Sequence, residues 1–233
     1  MIRERILLLS SSTVSGSGYL DYAEREIIDF LGGIERVLFV PFALHDHDSY
    51  TERVRVRLSS MGYWVQQLHH TAESRDAVTG ADAIFIGGGN TFRLLERLYD
   101  LDLLTPIRER VKAGIPYFGS SAGSNVAGPT IRTTNDMPIV EPPSFAALGL
   151  VPFQINPHYL DPDPRSTHMG ETREERIQQF LEENETPVIG LREGAWLRVE
   201  GEQTLLGGTA GARLFRRGNP PVELDCGAAV RLP

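Results

Sequence analysis

The sequence predicts an α/β fold in which a mostly parallel sheet carries helices on both faces. Short buried runs alternate with amphipathic stretches, a glycine-rich turn follows one buried run, and a serine within the pattern G-x-S-x-G follows another. Such alternation is typical of parallel sheets, because strands that run parallel are joined by helical crossovers. The length of 233 residues is compatible with one domain, and we expect residues 1–233 to form one.

The elements follow from hydrophobic periodicity and from the turn residues between the periodic segments. Strands are expected at residues 3–10, 36–43, 63–68, 81–86, 115–118, 151–156 and 188–191. Helices are expected at residues 19–31, 50–61, 91–99, 103–113 and 170–183. The proline-rich segment 129–150 breaks this rhythm and is expected to be a long ordered loop, and the chain after residue 194 is typical of antiparallel hairpins.

Composition and charge exclude several classes of protein. Apolar residues make up 41% of the chain, and no stretch approaches the roughly 18 consecutive apolar residues of a membrane helix. The formal net charge of −8 argues against a nucleic-acid partner, so an acidic substrate must be held by a local arginine. The first residues lack a signal cleavage site, and the single cysteine excludes an internal disulfide, which fits a cytoplasmic location.

Ser121 is the candidate nucleophile, because it is the central residue of Gly119-Ser120-Ser121-Ala122-Gly123. This pattern predicts a sharp strand-to-helix elbow that exposes the serine hydroxyl and points the amide of Ala122 at a developing oxyanion. The lone cysteine, Cys226, is far away in the sequence, so a nucleophile on this elbow must be oxygen.

Gly87-Gly88-Gly89-Asn90-Thr91-Phe92 follows the strand predicted at 81–86. In an open α/β sheet, ligands bind at the carboxyl ends of the strands, and glycines let the backbone approach a ligand closely. Gly88 and Gly89 are therefore candidates for oxyanion donors beside Ala122. A plain turn, with Asn90 or Thr91 capping the next helix, remains an open interpretation, and both interpretations can hold together.

A serine nucleophile needs a base, and His158 is the histidine that follows a predicted strand. The base needs a carboxylate to fix its tautomer, and Asp136 and Glu193 both remain candidates. The pattern His45-Asp46-His47-Asp48 suggests metal ligands, whereas the pair His69-His70 is interpreted as the end of the strand predicted at 63–68. Because no third ligand arrives at a familiar spacing, we expect a polar loop that leads to a helix with Asp48 or Ser49 as its N-cap. We expect neither a metal nor another cofactor.

The chain resembles the S51 serine peptidases, a family that includes aspartyl dipeptidases. The matching stretches are residues 87–92, 119–125, 130–140, 155–158, 170–174, 193–194 and 196, and the similarity covers almost the whole chain. The run from Thr130 to Val140 is more specific than the elbow. The resemblance implies a flavodoxin-like fold similar to class I glutamine amidotransferases, with serine in place of their cysteine. One departure is Ser120, where many members of the family have tryptophan.

The resemblance implies a single peptidase domain that hydrolyses dipeptides with an amino-terminal aspartate through an acyl-enzyme. Ser121 is then the nucleophile and His158 the base, and the acid has been placed at both Asp136 and Glu193. For the substrate carboxylate we expect a bidentate arginine, first Arg173 and then Arg132. Asn90 completes the candidate substrate-binding residues, and the carboxylate that does not orient the base is assigned to the substrate ammonium.

Three alternatives remain at this point. A cyanophycinase-like peptidase would cleave an aspartate-backbone polymer. An α/β-hydrolase-type esterase is suggested by the chain order of Ser121, Asp136 and His158. The chain could instead be a binding module with an idle pocket. For the peptidase, the expected partner is a small peptide substrate, with neither nucleic acid nor membrane, and a homodimer is compatible with a sequence that does not fix the oligomeric state.

Overall fold

The computed structural model describes residues 4–165, 167 and 169–230. Its helices are α1 (Glu24–Leu31), α2 (His47–Ser60), α3 (Ser74–Thr79), α4 (Thr91–Asp100), α5 (Leu104–Lys112), α6 (Ala122–Asn125) and α7 (Arg173–Glu183). Its strands are β1 (Arg5–Leu9), β2 (Arg36–Val40), β3 (Trp64–Gln67), β4 (Ile84–Ile86), β5 (Tyr117–Ser120), β6 (Gln154–Tyr159), β7 (Val188–Arg192), β8 (Ala195–Glu200), β9 (Gln203–Gly208), β10 (Ala212–Phe215) and β11 (Val222–Leu224). Residue 3, at the start of the predicted first strand, lies outside the described residues.

The main sheet confirms the predicted α/β architecture. Within the described residues it contains seven strands in the order β3-β2-β4-β5-β1-β8-β9, and β1 to β5 all run parallel. The sheet packs against one buried hydrophobic cluster on each face. Alternate residues of β1 contribute to the two clusters, Ile6 on one face and Leu7 on the other, because successive side chains of a strand point to opposite faces. Helices α4 and α5 cover the first face, and α1 and α2 cover the second.

A second sheet was not predicted from the sequence. In the described part of the chain it contains four strands in the order β11-β10-β7-β6, with β6 and β7 parallel and β10 and β11 antiparallel. The hairpin of β8 and β9 returns to the main sheet. Ile189 and Leu191 of β7 belong to the same buried cluster as Ile6 and Leu8 of β1. Apolar side chains therefore join the two sheets.

Several boundaries differ from the expected ones. Helix α2 begins at His47, and its cap is Asp46, whose carboxylate accepts a hydrogen bond from the Ser49 amide at 2.9 Å, so the caps expected at Asp48 or Ser49 were wrong. The first residues of the predicted helix 19–31 form a 3-10 turn before α1, and α3 was not predicted. Within the described residues, no helix is long and apolar enough to cross a membrane.

Candidate active site

Ser121 lies on the elbow between β5 and α6, with φ 51° and ψ −109°. Non-glycine residues rarely adopt positive φ, so the surrounding contacts must hold this conformation. The amide of Ser121 donates to the Leu9 carbonyl at 3.0 Å, and the hydroxyl of Ser124 donates to the same carbonyl at 2.7 Å. The strand-to-helix elbow that the sequence predicts is therefore present, and the end of β1 fixes it.

Glycines beside the elbow permit close packing between neighbouring strands. A Cβ at Gly123 would overlap the carbonyl oxygen of Ile86, and a Cβ at Gly88 would lie 3.0 Å from the Cβ of Ser121. The amides of Gly89 and Ala122 donate to no backbone carbonyl among residues 4–165, 167 and 169–230. Both amides are thus available to an oxygen atom of a ligand near Ser121.

His158 reaches Ser121 from the second sheet. Its Nε2 lies 2.9 Å from Ser121 Oγ. The residue has φ 54° and sits where the register of β6 is irregular, between Pro157 and Tyr159. Its amide donates to Ser10 Oγ at 3.0 Å, and this hydroxyl in turn donates to the Leu191 carbonyl at 2.6 Å. Strands β1, β6 and β7 together hold the imidazole.

The two candidate carboxylates lie in different places. Glu193 follows β7, and its Oε1 lies 2.6 Å from His158 Nδ1. Asp136 Oδ2 instead accepts hydrogen bonds from the amide and the hydroxyl of Thr91, at 2.8 and 2.6 Å, and so binds the first turn of α4. The structure brings Glu193 and not Asp136 to the imidazole. The sequence could not decide between them, because the conformation of the loop 129–150 has no periodic signal.

A cavity of about 350 Å³ opens beside the serine. It is lined by Ser12, Tyr19, Leu44, Tyr50, Arg53, Gly88, Gly89, Ser121, Asp136 and His158. Sequence reasoning missed Tyr19, Tyr50 and Arg53. The one available signal was the spacing of Tyr50 and Arg53, which are three residues apart and so share a face of α2. Burial raises the pKa of Tyr50, so its hydroxyl remains protonated near neutral pH.

The two candidate arginines differ in surroundings. Arg173 is the first residue of α7, and its guanidinium forms neither a hydrogen bond nor an ion pair within the described part of the chain. Burial lowers its pKa, the nearby Arg176 lowers it further, and Asp136 opposes both. Arg132 is exposed and lies over the ring of Phe145 at 5.7 Å. Neither arginine lines the cavity beside Ser121, and Arg173 lines a second cavity together with Asp161 and Arg176. Arg173 is therefore the partly desolvated cation beside Asp136.

Asn90 has a structural role in this arrangement. Its side-chain oxygen accepts from the Arg93 amide at 3.0 Å and caps α4, which confirms the expected cap. Its side-chain nitrogen donates to the Met137 carbonyl at 2.9 Å. Both polar groups are already bonded within the protein, and Asn90 does not line the cavity.

Comparison with known proteins identifies the family. Residues 6–207 match the model of peptidase family S51. The chain is 58% identical over 223 residues to peptidase E of Streptomyces coelicolor, across 96% of this chain and 92% of that protein. It is 52% identical over 222 residues to a Drosophila melanogaster protein named "Probable alpha-aspartyl dipeptidase", across 94% and 92%. The crystal structure of a peptidase from an acI-B1 Actinobacterium shares the fold, with TM-score 0.72 and 18% identity over 99% of this chain and 97% of that chain. With these matches over nearly its whole length, the chain belongs to peptidase family S51.

Proposed function

We propose that this peptidase is a serine dipeptidase that hydrolyses peptides with an amino-terminal aspartate. The observation that carries the proposal is the hydrogen-bonded series in which Glu193 contacts His158 at 2.6 Å and His158 contacts Ser121 at 2.9 Å. A serine, a histidine and a carboxylate in this order constitute the machinery of nucleophilic acyl transfer. The names of the two relatives, peptidase E and alpha-aspartyl dipeptidase, support the substrate class.

The reaction proceeds through an acyl-enzyme. Glu193 accepts a hydrogen bond from the Nδ1–H of His158, which keeps the proton on Nδ1, so Nε2 presents a lone pair to the hydroxyl of Ser121. Ser121 Oγ attacks the carbonyl carbon of the aspartyl residue while Nε2 takes the hydroxyl proton. Nε2 then gives this proton to the leaving amine as the C–N bond breaks. Water, deprotonated by the same nitrogen, hydrolyses the ester and regenerates the serine.

The oxyanion is stabilised by backbone amides at the elbow. Ala122 follows the nucleophile directly, and its amide is one donor. Gly89 supplies the second donor from the turn after β4, which packs so closely on the elbow that a Cβ added at Gly88 would lie 3.0 Å from the Cβ of Ser121. Each such donor contributes on the order of 3 kcal/mol to the stability of the transition state.

Selection of aspartate rests on a cation whose guanidinium forms no hydrogen bond or ion pair with an acid among the described residues. Arg173 meets this description, since a bidentate guanidinium matches the geometry of a carboxylate. Arg132 is the second candidate from the sequence, but its stacking on Phe145 disfavours it. Asp136 lines the cavity and does not contact the imidazole, so it is the candidate for the substrate ammonium. Asn90 supports the site by holding the start of α4.

The test is hydrolysis of the p-nitroanilides of Asp, Asn, Glu and Ala by the wild-type chain and by Ser121→Ala. We expect hydrolysis of the Asp compound, much slower hydrolysis of the other three, and no activity in the variant.

A simple acetyl ester is the comparison substrate for the esterase, and cyanophycin for the cyanophycinase-like peptidase. Faster turnover of either comparison substrate would overturn the assignment, as would full activity of Ser121→Ala. Failure of a serine-directed phosphonate to label the chain would favour the binding module.

We also propose that residues 1–233 fold as one peptidase domain, because the buried cluster that contains Ile6 of β1 also contains Ile189 of β7. One cooperative unfolding transition, the same by fluorescence and circular dichroism, would support this. A homodimer and a cytoplasmic location remain predictions.

A further inference from the structure

Three side chains that the proposed reaction does not use converge on one point at the surface. Asp48 lies in the first turn of α2, and His69 and His70 lie in the 3-10 turn that follows β3. Oδ1 of Asp48 lies 2.9 Å from Nε2 of His69 and 2.7 Å from Nε2 of His70. One possible ligand atom from each residue lies within 4.8 Å of the other two.

We propose that Asp48, His69 and His70 bind a divalent transition-metal ion, with Zn²⁺ as the preferred ion. Two imidazole nitrogens and a carboxylate oxygen suit Zn²⁺ at ligand distances of about 2.0–2.2 Å. Mg²⁺ and Ca²⁺ prefer sets made of oxygen alone. The two exposed ligands, Asp48 at 73% and His70 at 59% side-chain exposure, leave room for water to complete the coordination shell.

The surroundings hold one ligand firmly. The His69 side chain is only 8% exposed, and its ring lies 4.2 Å from that of His70 and 5.6 Å from that of His47. Its Nδ1 has no hydrogen-bond partner among the described residues. Metal-bound histidines usually donate this second proton to an acceptor, and loss of such a bond weakens binding by about 10- to 100-fold. We therefore expect micromolar affinity, not the tighter binding of zinc enzymes.

The ion would connect two elements that are separate in the sequence. Helix α2 also carries Tyr50 and Arg53, which line the cavity beside Ser121. A metal bound to Asp48 and to the turn at 68–70 would fix the start of this helix. Because the ion binds the folded chain, it raises stability in proportion to the logarithm of its concentration above the dissociation constant. Its role is structural, and the Ser121 reaction does not depend on it.

The test is titration of the tag-free, chelator-treated chain with ZnCl₂ near neutral pH by isothermal calorimetry, with Co²⁺ absorption as a spectroscopic check. The variants are Asp48→Asn and His70→Ala, both at exposed positions, and the matched control is the exposed His45→Ala. We expect one ion per wild-type chain, a rise in Tm on adding Zn²⁺, and at least a tenfold weaker affinity in both variants but not in the control.

Two results would overturn the proposal. One is equal Zn²⁺ affinity in the wild type and in both variants, or no binding by the wild type at millimolar ZnCl₂. The other is loss of binding in His158→Ala with binding retained in His70→Ala, which would assign the ion to the catalytic imidazole. Because binding is measured without substrate, these outcomes are independent of the proposed peptidase activity.

Discussion

The backbone amide of His158 donates a hydrogen bond to the hydroxyl of Ser10, with an N···O distance of 3.0 Å. Ser10 is fully buried at the end of β1, and its own proton is donated to the Leu191 carbonyl. His158 has φ 54°, a conformation that needs support from its neighbours. Ser10 therefore supports the backbone that carries the imidazole, and it does not line the cavity beside Ser121.

Ser10→Ala should lower kcat by about tenfold, with little change in KM. A displaced His158 imidazole takes the Ser121 proton less well, and this interaction is made only in the transition state. The matched control is Ser11→Ala, since Ser11 is the next residue and is also buried, but its hydroxyl does not contact His158 among the described residues. Ser10→Thr, which keeps the hydroxyl, should restore most of kcat. Steady-state kinetics with Asp-p-nitroanilide, including the pH profile of kcat/KM, measure the effect. Equal kcat in Ser10→Ala and Ser11→Ala would contradict a positioning role.

Replacing Glu193 and Asp136 separately by their amides should distinguish their roles. Glu193→Gln removes the acceptor for His158 Nδ1, and we expect kcat to fall by about 100-fold or more with KM nearly unchanged. Asp136→Asn should mainly raise KM, and it should also lower Tm because Asp136 binds the amide of Thr91. Kinetics and thermal unfolding of both variants provide the measurement. If Asp136→Asn has the larger loss in kcat, the assignment of Glu193 fails.

Arg173→Ala should lower kcat/KM for Asp-p-nitroanilide by about 100-fold, because a substrate carboxylate would enter the site without its partner. The slow hydrolysis of the Ala compound should change little, since that substrate has no charge to pair. Arg132→Ala is the control, and we expect it to keep near wild-type values. A large loss in Arg132→Ala with normal discrimination in Arg173→Ala would reverse the two assignments.

The stability of the chain should fall at alkaline pH. Burial raises the pKa of Tyr22 from 10.0 to about 12. The hydrogen bond that the Tyr22 hydroxyl donates to the Ser11 carbonyl lowers the pKa and so opposes part of this rise. Between these values the unfolded chain loses the proton and the folded chain keeps it, so the free energy of unfolding decreases as pH rises. Two pKa units correspond to at most about 2.7 kcal/mol.

Urea denaturation of the wild type and of Tyr22→Phe at pH values from about 9 to 12 tests this. We expect a smaller decrease in the variant, because phenylalanine does not titrate. Parallel curves for the two proteins would mean that other groups, such as the buried Tyr50, account for the alkaline decrease.

The sequence predicted the elements better than their assembly. The glycine pattern located the elbow at Ser121, and periodicity placed a helix at 170–183, where α7 begins at Arg173 behind a capping box of Thr172 and Glu175. The second sheet was missed because alternation of apolar residues defines a strand but not its neighbours. The cluster of Asp48 with His69 was missed because the ligands are 21 residues apart in the sequence. Such contacts depend on how β2 and β3 pair, which no local pattern encodes.

The proposed nucleophile and its proposed base belong to different sheets, so activity should depend on how the two sheets pack against each other. Ser121 follows β5 of the main sheet, whereas His158 lies in β6 and Glu193 follows β7 of the smaller sheet. A shift of one sheet over the other by about 1 Å would separate Oγ from Nε2 and leave every strand intact. Inactivation by heat or mild denaturant should therefore precede any loss of secondary structure. The value of kcat then reports on the packing of the two sheets.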